Sequence, residues 1–168
     1  GDDTFAINSV LDVVDEISDN GSGDDAIIYS LPAGSTYAMP AGVERLSSWA
    51  PYAIGVVRLL GNALGNSIGG TGSNDTLEGA GGDDEFTDYH GYNIIDGGPG
   101  VDRLNLSPWP RSDWLVSRPG ATDVLLTRID NQVAQTLRQL EWVAFADGTV
   151  SVADLIATAW EHSQIIIV

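Results

Sequence analysis

The sequence predicts an all-β fold: a parallel β-roll or β-helix solenoid of short strands, closed by a C-terminal β-rich cap with one short helix. Three observations predict it. A nine-residue pattern recurs five times without a gap between residues 61 and 105. Glycine, with 20 of the 168 residues, is concentrated in the same stretch. On both sides, short apolar segments alternate with Gly, Pro, Asn and Asp, which is typical of strands joined by turns.

The five blocks read GNALGNSIG, GTGSNDTLE, GAGGDDEFT, DYHGYNIID and GGPGVDRLN. A triplet centred on the apolar eighth position predicts a very short strand with that side chain pointing inward. Two blocks form one coil, so blocks two apart lie side by side. Ordinary short strands joined by Gly/Asp-rich turns are the alternative, but chance turns do not keep a nine-residue register. The sixth positions hold Asn66, Asp75, Asp84, Asn93 and Asp102, and the eighth hold Ile68, Leu77, Phe86, Ile95 and Leu104.

The composition of each block suits a hard cation. Glycine permits positive φ and close backbone approach, so turn carbonyls can point at a common centre. Asp and Asn add side-chain oxygens, and Ca²⁺ prefers such oxygen ligands. The pattern closely resembles the G-G-x-G-x-D-x-U-x repeat of the RTX, or haemolysin-type calcium-binding, family. This resemblance implies several calcium ions, each held by sixth-position side chains of blocks n and n+2 together with turn carbonyls.

On one edge of the roll, the resemblance implies two candidate calcium sites. Asp84 with Asp102 is the stronger, because both ligands are carboxylates and the flanking Gly82 and Gly97 match the pattern. Asn66 with Asp84 has one charge fewer and shares Asp84 with the first site. Asp84 is therefore expected to be the most important single ligand.

On the opposite edge, the resemblance implies a third site from Asp75 and Asn93, again with one charge fewer. The fourth block departs from the pattern, because residues 88–90 (Asp-Tyr-His) replace its usual glycine-rich start. This departure puts the carbonyl geometry of the third site in question.

Residues 1–60 contain two degenerate copies of the block. One places Asp3 at the sixth position and the other places Asp25 there, so both are expected metal ligands. The segment INSVLDVVDEI between them has apolar positions that suit buried strands. AIIYSLP and YAMPAGVERLSSW continue the rhythm, and a GVERL-like segment is familiar in long RTX proteins. We interpret 1–60 as irregular solenoid coils, with a separate small β-domain as the alternative.

Residues 106–168 lose the repeat and become richer in Trp and Arg. WLVSR, DVLLTRI and LRQLEWVAF predict strands of a cap, and LEWVAFADGT resembles a stretch that often follows RTX repeats. A solenoid must cover its open core at the end. Bulky Trp109, Trp114 and Trp142 are suited to that task.

Two further elements are predicted near the C-terminus. Apolar residues at i, i+3 and i+4 predict a short helix over Val152–Trp160. The last five residues, 164–168, form a bare apolar tail. This tail partly resembles the uncleaved C-terminal signals of type I secretion substrates, and an ordinary edge strand is the alternative.

The charge of −17, with seven arginines and no lysine, argues against nucleic acid or an anionic membrane as partner. Acids at this density repel one another unless cations bind. The absence of cysteine excludes thiolate metal sites and disulfides. No segment is long and apolar enough to predict a membrane-spanning helix. The start at Gly1 suggests a fragment of a longer protein.

No motif predicts catalysis: His90 and His162 stand apart, and no G-x-S-x-G elbow occurs. We expect no enzyme activity in this segment, with any catalytic part upstream. The favoured function is a calcium-binding module that folds on binding Ca²⁺ and supports export by type I secretion machinery to the cell exterior or surface. The alternative is attachment to acidic polysaccharide, as in R-modules of alginate epimerases, or a role as part of a secreted hydrolase or toxin.

Overall fold

The structure is a computed structural model that describes residues 1–15, 23–49, 55–87, 90–130 and 132–163, with side chains to residue 159. It confirms a parallel β-solenoid of short strands with one short helix. The predicted secretion tail, 164–168, lies outside the described residues. The three-part division at residues 60 and 105 stays a prediction.

Sheet A contains eight strands in the order β1-β2-β4-β6-β8-β10-β14-β15. All neighbours pair in parallel except β14 and β15, which form an antiparallel hairpin. The strands are β1 (Thr4–Ile7), β2 (Ala26–Tyr29), β4 (Arg45–Ser48), β6 (Ser67–Gly69), β8 (Glu85–Thr87), β10 (Arg103–Leu106), β14 (Trp142–Phe145) and β15 (Gly148–Ser151).

Sheet B contains seven strands in the order β11-β12-β13-β9-β7-β5-β3. Pairing is parallel from β3 to β13 and antiparallel among β11, β12 and β13. Parallel pairing therefore continues past residue 105 in both sheets, through β13 and β14. The strands are β3 (Thr36–Ala38), β5 (Arg58–Leu60), β7 (Thr76–Glu78), β9 (Gly91–Asp96), β11 (Trp114–Ser117), β12 (Val124–Arg128) and β13 (Val133–Arg138).

Two columns of apolar side chains, one from each sheet, run through the core. Strands two blocks apart pair in register, so Ile68 lies beside Phe86 and Phe86 beside Leu104. Every eighth-position residue of the five blocks is fully buried. The predicted inward triplet and the two-block coil are thereby confirmed. The columns are Phe5, Ile27, Leu46, Ile68, Phe86, Leu104 and Val143 in sheet A, and Tyr37, Leu59, Leu77, Ile95 and Leu137 in sheet B.

The expected buried strands after β1 are wrong for residues 8–15, which contain no strand. Leu11 is 84% exposed and Val13 is 89% exposed. The Asp12 carboxylate accepts hydrogen bonds from the backbone N–H groups of Asn8 and Ser9. Such local side-chain bonds stabilise a turn in place of a strand. The rest of the segment, residues 16 and 17, lies outside the described residues.

The cap differs from the prediction in two details. The LRQLEWVAF strand is split into β13 and β14, because Gln139 adopts a φ of 49° and turns the chain. Trp114 is buried and packs edge-on against Trp109 with ring centroids 6.0 Å apart, as expected for residues that cover the core. Trp142 instead points outward and is 41% exposed. It precedes the buried Val143, so strand alternation directs its side chain away from the core.

The predicted helix is present as α1 (Val152–Ser163). Ser151 precedes it, and its Oγ accepts a hydrogen bond of 3.0 Å from the Asp154 N–H while donating to the Asp154 carboxylate. The Ser151 hydroxyl thus satisfies one of the backbone N–H groups that have no partner within the helix at its start. Among the described residues, none of the helical segments has the length and apolar character needed to cross a membrane.

Candidate calcium site

The sixth-position side chains form a ladder along one edge of sheet A. Asn66 donates its backbone N–H to Asp84 Oδ1 at 2.7 Å, and Asp84 donates its own to Asp102 Oδ1 at 2.8 Å. The Asp84 and Asp102 carboxylates thus each accept a hydrogen bond from the backbone of the preceding coil, eighteen residues earlier. The structure therefore brings together all three sixth-position residues predicted for this edge.

One oxygen of each carboxylate in this ladder has no hydrogen-bond partner in the described part of the chain. These atoms are Asp84 Oδ2 and Asp102 Oδ2, and both are buried. The two residues are 2% and 0% exposed. A buried carboxylate oxygen is costly unless a hydrogen bond or a cation satisfies it. The edge thus presents two unsatisfied anionic oxygens.

The carboxylates also repel one another. The pKa of Asp84 is raised to about 6, chiefly by burial and to a smaller extent by the charges of Asp102 and Asp83, while the hydrogen bond from the Asn66 N–H opposes the rise. The pKa of Asp102 is raised by burial and then by Glu141, Asp83 and Asp96. The ion pairs of the described residues join arginines to other acids, not to Asp84 or Asp102. No protein cation in this part of the chain neutralises the edge.

Backbone carbonyls lie beside the two unsatisfied oxygens. A Cβ at Gly79 would lie less than 3.0 Å from both Asp84 Oδ2 and the Gly97 carbonyl oxygen. A Cβ at Gly97 would be equally close to Asp102 Oδ2 and the Gln139 carbonyl oxygen. The blocks of Asp84 and Asp102 each begin with glycine, and a side chain at either first position would fill this space. Each carboxylate therefore has a carbonyl of the next coil as its neighbour.

Of the two predicted glycines, Gly97 lies directly against Asp102, as described above. Gly82 lies in the turn of the preceding coil, with a φ of 103° that favours glycine. A Cβ at Gly100 would lie 3.1 Å from Asp102 Oδ1 and closer still to the Gly82 carbonyl oxygen. The Gly82 carbonyl is thus on the same side of the stack as Asp102.

Asn66 lies at the equivalent position one coil earlier, but its side chain is hydrogen-bonded to other protein groups. Its Oδ1 accepts a hydrogen bond from the Asn62 N–H, and its amide donates to the Val43 carbonyl and to Asn62 Oδ1. These bonds satisfy the neutral side chain inside the protein. The predicted Asn66 and Asp84 pair therefore contains one unsatisfied oxygen, that of Asp84.

The opposite edge, with Asp75 and Asn93, has a different environment. Asp75 Oδ1 accepts a hydrogen bond from the Val57 N–H, and Oδ2 accepts two from the N–H and hydroxyl of Thr71. Asn93 accepts from the Asp75 N–H and donates to the His90 carbonyl. Both Asp75 oxygens are thus already hydrogen-bonded. This edge fits a cation less well than the edge of Asp84 and Asp102.

The N-terminal candidates continue the ladder on sheet A. Asp3 donates its N–H to Asp25 Oδ1 at 2.7 Å, and Asp25 donates to Glu44 Oε2 at 2.8 Å. Asp25 is buried, whereas Asp3 is exposed. The structure therefore brings Asp3 and Asp25 together on one edge, with Glu44 as an additional member.

Sequence reasoning missed Glu44 and Glu141 as ladder members. Glu141 accepts a hydrogen bond of 2.7 Å from the Asp102 N–H, so it takes the sixth position of the coil after Asp102. Each glutamate lies two residues before a buried strand residue: Glu44 before Leu46, and Glu141 before Val143. That spacing was visible in GVERL and LEWVA, but the neighbouring glycines of the repeat are absent there.

A second ladder, formed by fifth-position residues, was also missed. Asp83 Oδ1 accepts a hydrogen bond from the Val101 N–H at 2.9 Å, and Asn74 Oδ1 accepts one from the Tyr92 N–H. The fifth-position side chain binds the following coil, whereas the sixth-position side chain binds the preceding one. In the second and third blocks, the paired polar residues therefore connect their coil to both neighbouring coils.

The chemistry of the first edge fits Ca²⁺. Calcium takes six to eight oxygen ligands, including carboxylates and backbone carbonyls. The described residues contain no cluster of three or more His, Asp or Glu side chains suited to a metal. A further ligand beside Asp84 would therefore be a backbone carbonyl such as that of Gly97. A cation at such a site would neutralise the buried carboxylates.

No protein-family model matches the sequence, and no curated protein matches it. Among solved structures, the fold is similar to the crystal structure of the extracellular lipase LipA from Serratia marcescens. The match has a TM-score of 0.51 and 20% sequence identity, and it covers 77% of this chain. It spans 22% of the lipase chain. At this identity the similarity shows the fold alone.

Proposed function

We propose that this chain is a calcium-binding RTX module that folds when it binds several Ca²⁺ ions. The observation that carries the proposal is the pair of buried, unsatisfied oxygens, Asp84 Oδ2 and Asp102 Oδ2. Each lies beside a backbone carbonyl in a space that only glycine leaves open. The nine-residue register and the similarity of the fold to part of an extracellular lipase support the same function.

The proposed mechanism couples ion binding to folding. Without a cation, closing the stack desolvates Asp84 and Asp102 and brings their charges together, which costs free energy. The three-residue strands β6, β7 and β8 add few hydrogen bonds to offset that cost. A bound Ca²⁺ satisfies the oxygens and cancels the repulsion. Because the site does not exist in the unfolded chain, binding free energy becomes folding free energy.

The proposed role is export and folding outside the cell. Extracellular calcium modules bind at about 10⁻⁴ to 10⁻³ M, far above cytosolic calcium. The chain would stay unfolded in the producing cell, pass through a type I exporter, and fold on reaching calcium at the exterior or cell surface. Any catalytic activity of the parent protein would belong to another segment.

Calorimetric titration with calcium and with magnesium tests the metal. We expect binding of several Ca²⁺ ions at neutral pH and much weaker binding of Mg²⁺. Magnesium demands octahedral geometry and retains its water, which does not suit carbonyl-rich turns. Equal affinity for both ions, or no calcium binding, would contradict the proposal.

A glycan-binding role is the second candidate, and the outward position of Trp142 favours it. A groove of about 380 Å³ is lined by Trp142, Arg103 and Val101, together with the acids Asp83, Asp84 and Glu85. An exposed indole next to polar groups suits stacking of a sugar ring. The three acids would repel an acidic polysaccharide unless calcium neutralised them. Pull-down on neutral and acidic glycans, with and without calcium, and with Trp142→Ala as control, tests this candidate.

A further inference from the structure

We infer that a separate cation site lies at the junction between the last repeat and the cap, built from Asp102, Glu141 and the Gln139 carbonyl. The inference rests on the proposed calcium function and adds ligands that the repeat pattern does not contain. Its ligand class is a hard divalent cation, with Ca²⁺ as the expected ion.

The first evidence is the state of Asp102. Its Oδ1 accepts the Asp84 N–H, while its Oδ2 is buried without a hydrogen-bond partner among the residues that the structure describes. The side chain is 0% exposed, so bulk solvent does not reach this oxygen. Asp84 has its counterpart in Asp102 on the next coil. An equivalent carboxylate for Asp102 would have to come from outside the repeat, because Asp102 lies in the last block.

The cap supplies that counterpart. The Asp102 N–H donates to Glu141 Oε2 at 2.7 Å, and the Asp102 carbonyl accepts from the N–H groups of Glu141 and Trp142, each at 3.1 Å. Glu141 therefore accepts the Asp102 N–H in the same way that Asp102 accepts the Asp84 N–H. A second carboxylate is thus placed at the position that the next coil's ligand would occupy.

The Gln139 carbonyl takes the position that a glycine carbonyl has in the repeat. Its carbonyl oxygen and Asp102 Oδ2 lie within 3.0 Å of one point beside Gly97, just as the Gly97 carbonyl and Asp84 Oδ2 do beside Gly79. Gln139 has a φ of 49°, a conformation that non-glycine residues rarely adopt. The strained backbone directs its carbonyl to the place that a glycine carbonyl takes in the repeat.

The charge around the junction is also uncompensated. The nearby Arg138 is engaged by Asp123, with its Nε and Nη2 donating at 3.1 Å and 3.0 Å. None of the ion pairs among the described residues includes Asp102 or Glu141. A cation here would hold β14 against β10, so cap docking would depend on calcium.

The test compares Glu141→Gln with Glu78→Gln in the full chain. Glutamine removes the charge at residue 141 but can still accept the Asp102 N–H. Glu78 is paired with Arg58 on the outer face of sheet B and controls for loss of one acid. Calorimetry with calcium alone should show one ion bound at least about ten-fold more weakly in Glu141→Gln. Hydrogen exchange should show lower calcium-induced protection in β14, with β8 still responding to calcium.

The outcomes separate this inference from the proposed function. If the unmodified chain binds no calcium, the proposed function fails, and this inference fails with it. If the chain binds calcium but Glu141→Gln behaves like Glu78→Gln, only the junction site is overturned. If Glu141→Gln fails to fold, hydrogen exchange of the unmodified chain provides the test. Equal protection of β14 with and without calcium, in a chain whose β8 responds to calcium, would overturn the junction site.

Discussion

Asp84 uses one carboxylate oxygen to accept a hydrogen bond from the Asn66 N–H, eighteen residues earlier, while its other oxygen is buried without such a bond from any described residue. The first oxygen connects adjacent coils, and the second faces the Gly97 carbonyl across the space left by Gly79. Asp75, at the same position of the preceding block, has both oxygens hydrogen-bonded. The two edges of the solenoid are therefore chemically unequal.

Asp84→Asn separates the two roles of this carboxylate. The amide oxygen can still accept the Asn66 N–H, but the negative charge is lost. We expect calcium affinity to fall by about ten-fold or more, while the calcium-free fold becomes more stable because the buried charge is gone. Calorimetry and urea unfolding measure the two effects. Unchanged calcium affinity would show that Asp84 is not a ligand.

Asp84→Ala removes both roles and is expected to be the most damaging ligand substitution. The coil loses its hydrogen bond to the Asn66 N–H, and calcium loses a carboxylate. We expect calcium-dependent folding to require at least about ten-fold more calcium than in the unmodified chain. Circular dichroism during calcium titration provides the measurement. Asp75→Ala is the matched comparison and should shift the calcium midpoint less.

Gly79→Ala tests the carbonyl cradle. The new Cβ would lie less than 3.0 Å from Asp84 Oδ2 and the Gly97 carbonyl oxygen, so backbone must move. We expect a loss of about 1–3 kcal/mol in calcium-bound stability, as for other overpacked sites. Gly120→Ala is the control, because a Cβ there meets nothing within 4 Å. Equal denaturant midpoints for the two variants would contradict the described packing.

Protonation and calcium should compete at Asp84. Its pKa is raised to about 6 without calcium, chiefly by burial. A raised pKa in the folded state means that the calcium-free fold is favoured below the unfolded value of 3.8 and loses stability as pH rises through about 6. Calcium affinity should instead weaken as pH falls from 7 to 5, because a proton on Asp84 competes with the ion. Calorimetry at several pH values measures this, and Asp84→Asn should show a smaller pH dependence.

The repeat register was predictable because it depends on one apolar residue every nine positions. Ile68, Leu77 and Phe86 could be placed in the core from spacing alone, and the structure buries them fully. The coil geometry then follows, since blocks two apart pair in register. The positions brought to each edge were predictable for the same reason.

Other features depend on contacts that spacing does not reveal. Thr71 satisfies Asp75 through a local hydrogen bond, so two equivalent acids differ in environment. Gln139 takes a positive φ without being glycine, which hid the turn between β13 and β14. Glu141 acts as a sixth-position residue although no glycine-rich block surrounds it. Tertiary packing determines each of these features.

Hydrogen exchange across residues 61–105, with and without calcium, tests the central claim most directly. If calcium folds the repeats, amides of β6 to β10 should exchange rapidly in chelator and become strongly protected at millimolar calcium. Magnesium at the same concentration should leave them rapid. Equal protection of these strands in chelator and in calcium would contradict calcium-coupled folding and leave the acids as a solvated face.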